Sequence, residues 1–123
     1  MGTFTVTIEV GDPGGQRFER LEALVDTGST NSAVPGSVLR GLGVVPHRKG
    51  HFELADGTVV EADIGRTWLR VNGDQESTQI VFAPEGTQPI LGAITLEELE
   101  LAVDPLKKAL APATRLWKRR RAL

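Results

Sequence analysis

The sequence predicts an all-β domain carrying one or two short helices. Three observations lead there. Apolar and polar residues alternate strictly over Thr3–Val10, the period of a strand with one wet face. Two turn pairs, Asp56-Gly57 and Asn72-Gly73, sit between runs rich in β-branched residues, as in successive hairpins. The helical signals, at Pro35–Gly43 and Leu96–Glu100, are both brief.

Taken in order, Phe4, Val6, Ile8 and Val10 form the apolar face of the first strand. Gly11-Asp12-Pro13-Gly14-Gly15 is a turn cluster. The run Arg17–Val25 places Leu21, Ala23 and Val25 on one face. Phe18 is out of phase with them, which predicts a bulge or twist near Arg20. These two runs should pair as a hairpin. Asn31–Val34 reads as another strand, followed by the helix Pro35–Gly43. There Pro35 suits the first turn and Gly43 the stop.

Residues 51–72 read as a long hairpin. Phe52 and Leu54 alternate into a two-residue Asp56-Gly57 turn, and the return strand Val59–Val71 is expected to bend at Gly65. Asn72-Gly73 leads to a strand over Gln79–Ala83. Thr95 and Glu98 have the spacing of a capping box, predicting a helix over Leu96–Glu100 with Thr95 as N-cap. Leu101–Val103 reads as strand, stopped by Asp104-Pro105. Beyond it the pattern is less regular: Leu106–Leu110 fits a helical turn and Thr114–Arg121 a further helix.

The chain has 123 residues, the length of one domain. No apolar run approaches the 18 or so residues of a membrane span, and the N-terminus lacks the charged start of a signal peptide. There is no cysteine, which excludes disulfides and thiol catalysis and suits a reducing, cytoplasmic setting. Charge is uneven. Residues 107–123 hold seven of the 14 basic residues and no acid, a tail of +7. The remainder sets seven bases against 16 acids, a net −9. A body this acidic argues against nucleic acid as a partner, although Trp117 stands beside Lys118-Arg119-Arg120-Arg121. His47 and His51 lie four apart without a third ligand, so neither a metal site nor a cofactor is expected. No Gly-x-Ser-x-Gly elbow occurs.

The stretch that carries chemistry is Ala23-Leu24-Val25-Asp26-Thr27-Gly28-Ser29. A carboxylate ending a buried strand is costly unless hydrogen bonds hold it. Gly28 can direct its N–H at Asp26, and Thr27 and Ser29 add hydroxyls. An ordinary Asx-turn would use the same residue types. Its flanks would be polar, however, where these are Ala-Leu-Val. Downstream, Pro89-Ile90-Leu91-Gly92 repeats the theme of an apolar pair, a glycine and a helix signal.

Together the two stretches resemble the retropepsin-like aspartic proteases, single-domain enzymes completed by dimerisation. The resemblance covers about residues 3–105 and leaves 106–123 as a basic C-terminal tail. It implies a closed or nearly closed β-barrel and a homodimer acting on a peptide or protein substrate. Asp26 from each subunit would form the catalytic dyad and activate water. Thr27 would bond across the axis beneath it, and Ser29 would bond a carboxylate oxygen, favouring an acid optimum. Gly28 completes the catalytic motif. Ile90, Leu91 and Gly92 would form the structural second motif. Ala55, Asp56, Gly57 and Thr58 lie about where the family's substrate-covering flap lies, though this tip is more polar and has fewer glycines than viral flaps. The rival reading is a module of the same fold that binds peptides without cleaving them.

Overall fold

Alternation in the first stretch yields strand β1 (Thr5–Gly11), with Ile8 and Val10 fully buried and Thr5 and Thr7 exposed. In this computed structural model, residues 3–120 are described. Arg121, the last residue of the expected C-terminal helix, lies outside them. The chain turns at Asp12, whose carboxylate accepts the N–H groups of Gln16 and Arg17 at 2.7 and 3.0 Å. It returns as β2 (Phe18–Val25). The β1–β2 ladder is continuous from Gly11↔Phe18 to Thr5↔Leu24, so the bulge expected near Arg20 is absent. Phe18 instead sits on the outer face. Its ring lies over Gly11, where a Cβ would approach to 2.7 Å, and the Arg70 guanidinium covers it at 3.7 Å. The ring is packed by a cation and a glycine without any break in the ladder.

The remaining strands build a ring. β2 pairs in parallel with β7 (Ile90–Leu91), and β7 pairs antiparallel with β3 (Ser32–Pro35). β3 runs parallel to β6 (Asp74–Ala83), which pairs antiparallel with β5 (Val59–Val71). β5 returns to β1 through Glu9↔Arg70 and Val10↔Leu69. Six strands therefore close on themselves. β4 (Arg48–Glu53) pairs only with β5 and stands outside the ring. This is the near-closed, strand-dominated barrel that the sequence predicts. Its interior is filled by Ile8, Val10, Leu69, Val71, Ile80 and Leu91, none more than 2% exposed.

Two hairpin turns differ in chemistry. Asn72 and Gly73 both take positive φ, 53° and 87°, the expected two-residue type. At the β4–β5 tip only Gly57 does, at 86°. There Gly57 N–H bonds the Leu54 carbonyl at 2.9 Å and Leu54 N–H bonds the Thr58 carbonyl at 2.8 Å. The tip is thus a three-residue loop, not the expected two-residue turn. Asp56 avoids positive φ because Ala55 takes up the extra residue. Gly65 is buried, and a Cβ there would come to 3.0 Å of both Phe82 and Val44. Close packing is the observed reason for that glycine.

Helix α1 (Gly36–Gly41) follows Pro35, its N-cap, and is closed by Gly43 at φ 80°. Helix α2 (Ala93–Glu98) starts three residues earlier than expected, with Gly92 as N-cap. Thr95 is not a cap. It lies inside the helix, fully buried, and the capping box does not form. After α2, β8 (Leu101–Asp104) pairs antiparallel with β9 (Ala109–Pro112). Leu106–Leu110 is therefore the turn and return of a hairpin, in place of the helical turn its pattern suggests. The Asp104 carboxylate sets that turn by accepting the N–H groups of Leu106 and Lys107, both at 3.1 Å. Thr114–Arg120 has no regular structure, in contrast to the helix its pattern suggests. So short a segment does not hold a helix without packing. Here Ala113 N–H bonds the Glu100 carbonyl at 2.8 Å and Arg115 meets the Glu100 carboxylate at 3.2 Å. Leu116 and Trp117 remain 86% and 81% exposed.

Candidate active site

Asp26 is the first residue past β2, and two neighbours fix that strand end. Val25 N–H bonds the Phe4 carbonyl at 2.9 Å, and Asp26 N–H bonds the Leu91 carbonyl at 3.1 Å. The chain then doubles back, with Ser29 N–H reaching the Asp26 carbonyl at 3.2 Å. The carboxylate is half-buried and held at both oxygens. Gly28 N–H donates to Oδ1 at 2.9 Å, and the Ser29 hydroxyl donates to Oδ2 at 3.2 Å. A Cβ on Gly28 would stand 3.2 Å from Oδ1, so the bare backbone is what permits this approach. Thr27 and Gly28 face solvent. The turn thus presents an ionisable oxygen pair at the surface, with its orientation set by two local donors.

The Ile90-Leu91-Gly92 stretch lies directly behind this turn. Besides the Leu91 bond to Asp26, Leu24 N–H bonds the Pro89 carbonyl at 2.8 Å. The N–H groups of Ala93 and Ile94 bond the carbonyls of Ser29 and Thr30 at 2.8 and 3.0 Å. Gly92 N–H bonds the Ser32 hydroxyl at 3.0 Å. A Cβ on Gly92 would fall 2.4 Å from the Asn31 carbonyl oxygen. The two stretches, far apart in the sequence, are therefore one interlocked unit.

Beside the turn lies a groove of about 370 Å³. It is lined by Gly28–Asn31, by the β4 residues His51–Glu53 with Leu54 just past them, and by Ala33, Val81 and Ile90. Its volume lies within the range of ligand-sized clefts. The tip residues Ala55, Asp56, Gly57 and Thr58 are exposed and do not line it. Phe52, on the strand leading to the tip, and Leu54, just past that strand, do. His51 was visible in the sequence only as half of a metal pair. It meets Glu61 at 3.3 Å across the β4–β5 ladder. Asn31, which no sequence motif singles out, bonds Gln79 at 3.1 Å and so fixes the groove wall. A larger hollow of about 620 Å³ between Arg17–Glu19 and α1 holds no residue of either motif.

The model of the aspartyl protease family matches residues 6–103. This chain belongs to that family. Its fold is also that of solved retroviral proteases. The solution structure of the simian foamy virus (mac) protease superposes with a TM-score of 0.55 at 19% identity, covering 78% of this chain and 94% of that one. The EIAV protease complexed with the inhibitor HBY-793 gives 0.56 at 20% identity, covering 80% and 88%. Among curated proteins, none matches the chain. The fold is thus retropepsin-like, and the family match ends just before the β8–β9 turn.

Proposed function

We propose that this aspartyl protease is a homodimeric endopeptidase whose active site takes one Asp26 from each subunit. The observation that carries the reading is a single Asp-Thr-Gly turn, held at both carboxylate oxygens, beside a peptide-sized groove. Each chain has only one such turn, and a shared-proton mechanism needs two carboxylates. A twofold axis through the exposed Thr27-Gly28 surface supplies the second.

In that arrangement one Asp26 is ionised and takes a proton from water as it attacks the scissile carbonyl carbon. The other, protonated, donates to the carbonyl oxygen. Collapse of the resulting diol returns a proton to the departing amine. Gly28 N–H and Ser29 Oγ aim the carboxylate oxygens, and Thr27 bonds its counterpart beneath them. The substrate lies extended between Gly28–Asn31 and β4, with alternate side chains entering the groove. The tip Ala55–Thr58 closes over it as the flap.

The test mixes wild type with Asp26→Asn in equal amounts under subunit exchange. Random pairing leaves about a quarter of dimers fully wild type. Oligopeptide cleavage is expected to fall to about that fraction of an all-wild-type sample. A fall to only about half, with exchange verified by mass, would mean that each chain carries a complete site. Cleavage by pure Asp26→Asn at the wild-type rate would remove Asp26 from the chemistry and favour a peptide-binding role.

A further inference from the structure

Behind the Asp26 turn, three hydroxyls are fully buried: Ser32, Thr78 and Thr95, each at 2% exposure or less. They touch in series. Ser32 Oγ lies 2.6 Å from Thr95 Oγ1, and Thr95 Oγ1 lies 3.0 Å from Thr78 Oγ1. Thr78 donates to Glu98 Oε1 at 2.7 Å. At the other end, Ser32 Oγ accepts the Gly92 N–H at 3.0 Å. The residues come from β3, α2 and β6, so three elements meet here.

The direction of every bond follows from proton counting. A carboxylate only accepts, so the one Thr78 proton goes to Glu98. Thr78 can then only accept from Thr95, which spends the Thr95 proton. Thr95 can then only accept from Ser32. Ser32, its proton spent, accepts from Gly92. The chain reads Gly92 N–H to Ser32 to Thr95 to Thr78 to Glu98, with no alternative orientation. Moreover, Gly92 N–H belongs to the same peptide unit as the Leu91 carbonyl, which accepts the Asp26 N–H at 3.1 Å. Aligned hydrogen bonds polarise one another, more so where water is excluded.

We infer that Glu98 is a positioning residue for Asp26, acting through Thr78, Thr95, Ser32 and the Leu91–Gly92 peptide. Its charge orders the three hydroxyls, draws the Gly92 N–H toward Ser32 and strengthens the Leu91 carbonyl as the acceptor that anchors Asp26. The site is thereby wired to α2, on the side away from the groove. The catalytic part of this inference rests on the peptidase reading. The hydrogen-bond polarity does not.

The experiment compares full-length wild type with Glu98→Gln, Glu97→Gln, Thr95→Val and Thr95→Ser. The side-chain amide carbonyl introduced by Glu98→Gln can still accept from Thr78, so this substitution removes charge while sparing the bond. Glu97 is the control, a neighbouring carboxylate outside the chain of hydroxyls. In ¹⁵N-labelled protein, Glu98→Gln is expected to move the Gly92 amide proton upfield, and that of Asp26 by less. Glu97→Gln should leave both in place. With an oligopeptide, Glu98→Gln and Thr95→Val should lower kcat about three- to tenfold with KM nearly unchanged, and Thr95→Ser should retain wild-type kcat. An unmoved Gly92 amide in Glu98→Gln, or an equal movement in Glu97→Gln, overturns the inference. So does a shift as expected with kcat unaltered. If wild type cleaves nothing, the peptidase reading and the catalytic role fall together, and the amide shifts still decide the polarity. Should Thr95→Val not fold, Glu98→Gln decides alone.

Discussion

Replacing Gly92 by alanine tests the interlock behind the site most directly. The Cβ would stand 2.4 Å from Asn31 O, 2.5 Å from Asn31 C and 2.9 Å from Ser32 N. All three are backbone atoms, so relief cannot come from a rotamer change. Restoring ordinary contact needs a movement of about 1 Å in the Asn31–Ser32 segment, and overpacking of this kind costs about 1–3 kcal/mol. The same movement pulls Ser32 Oγ from the Gly92 N–H, a buried bond worth about 1 kcal/mol. Torsion adds nothing, because Gly92 sits at φ −98°, ψ 178°, which alanine adopts freely. The stiffer unfolded chain returns about 0.4–1 kcal/mol. A net loss of about 2–3 kcal/mol is expected, a large part of the roughly 5–15 kcal/mol typical of a domain. Urea unfolding followed by circular dichroism, at one fixed protein concentration, measures it. Gly41→Ala is the comparator: in α1, with no atom within 4 Å of its would-be Cβ, it should stabilise by up to about 1 kcal/mol. If Gly92→Ala were as stable as wild type, the argument from crowding would be refuted.

Three other outcomes follow from the turns and the tail. Thr58 N–H, then its hydroxyl, holds the Asp56 carboxyl below its ordinary value. The tip is therefore stabilised above the free-aspartate range and loses this as pH falls through the lowered value. The Thr58 amide shift should titrate with a midpoint below that of aspartate in an unstructured peptide, and an equal or higher midpoint would contradict it. Truncation after Pro105 removes β9 and should lower Tm, whereas truncation after Ala113 should leave Tm unchanged. If the basic tail docks on the acidic body, the second truncation, which removes five of its seven charges, should alter the affinity of the proposed dimer more at low salt than at high salt, as read by sedimentation. Equal affinities at both salts would make the tail a bystander.

Strands were legible wherever one face is wet. The alternation at Phe4–Val10 and the Asn72-Gly73 pair needed no tertiary information, because local geometry decides both. The local geometry of the Asp26 turn was legible too, since Gly28 and Ser29 lie close enough in the chain to reach the carboxylate, and both do. What failed was decided at a distance. Phe18 broke phase because Arg70 and Gly11, from other parts of the chain, receive its ring. Thr95 has the spacing of a cap, but Ser32 and Thr78 take its hydroxyl inward. Leu106–Leu110 has a helical pattern, but β8 offers it a ladder. The part of the groove lining around β4 was hidden because only the fold brings Phe52 and Leu54 into one groove with Ser29 and Thr30.

β5 does two jobs along its 13 residues. From Ile64 to Val71 it is laddered to β6, within the ring. From Val59 to Ile64 its ladder partner is β4. The strand is therefore a cantilever, clamped where Gly65 packs against Phe82 and carrying β4 as its ladder partner beyond. The described rungs tying β5 into the barrel all lie at Ile64 or later, so a change of length or sequence in the overhang unzips none of them. Load applied at the tip is carried by the root at Ile64 and Gly65. What happens in the overhang is in this way mechanically decoupled from what keeps the barrel closed, and its sequence can vary at little cost to the frame.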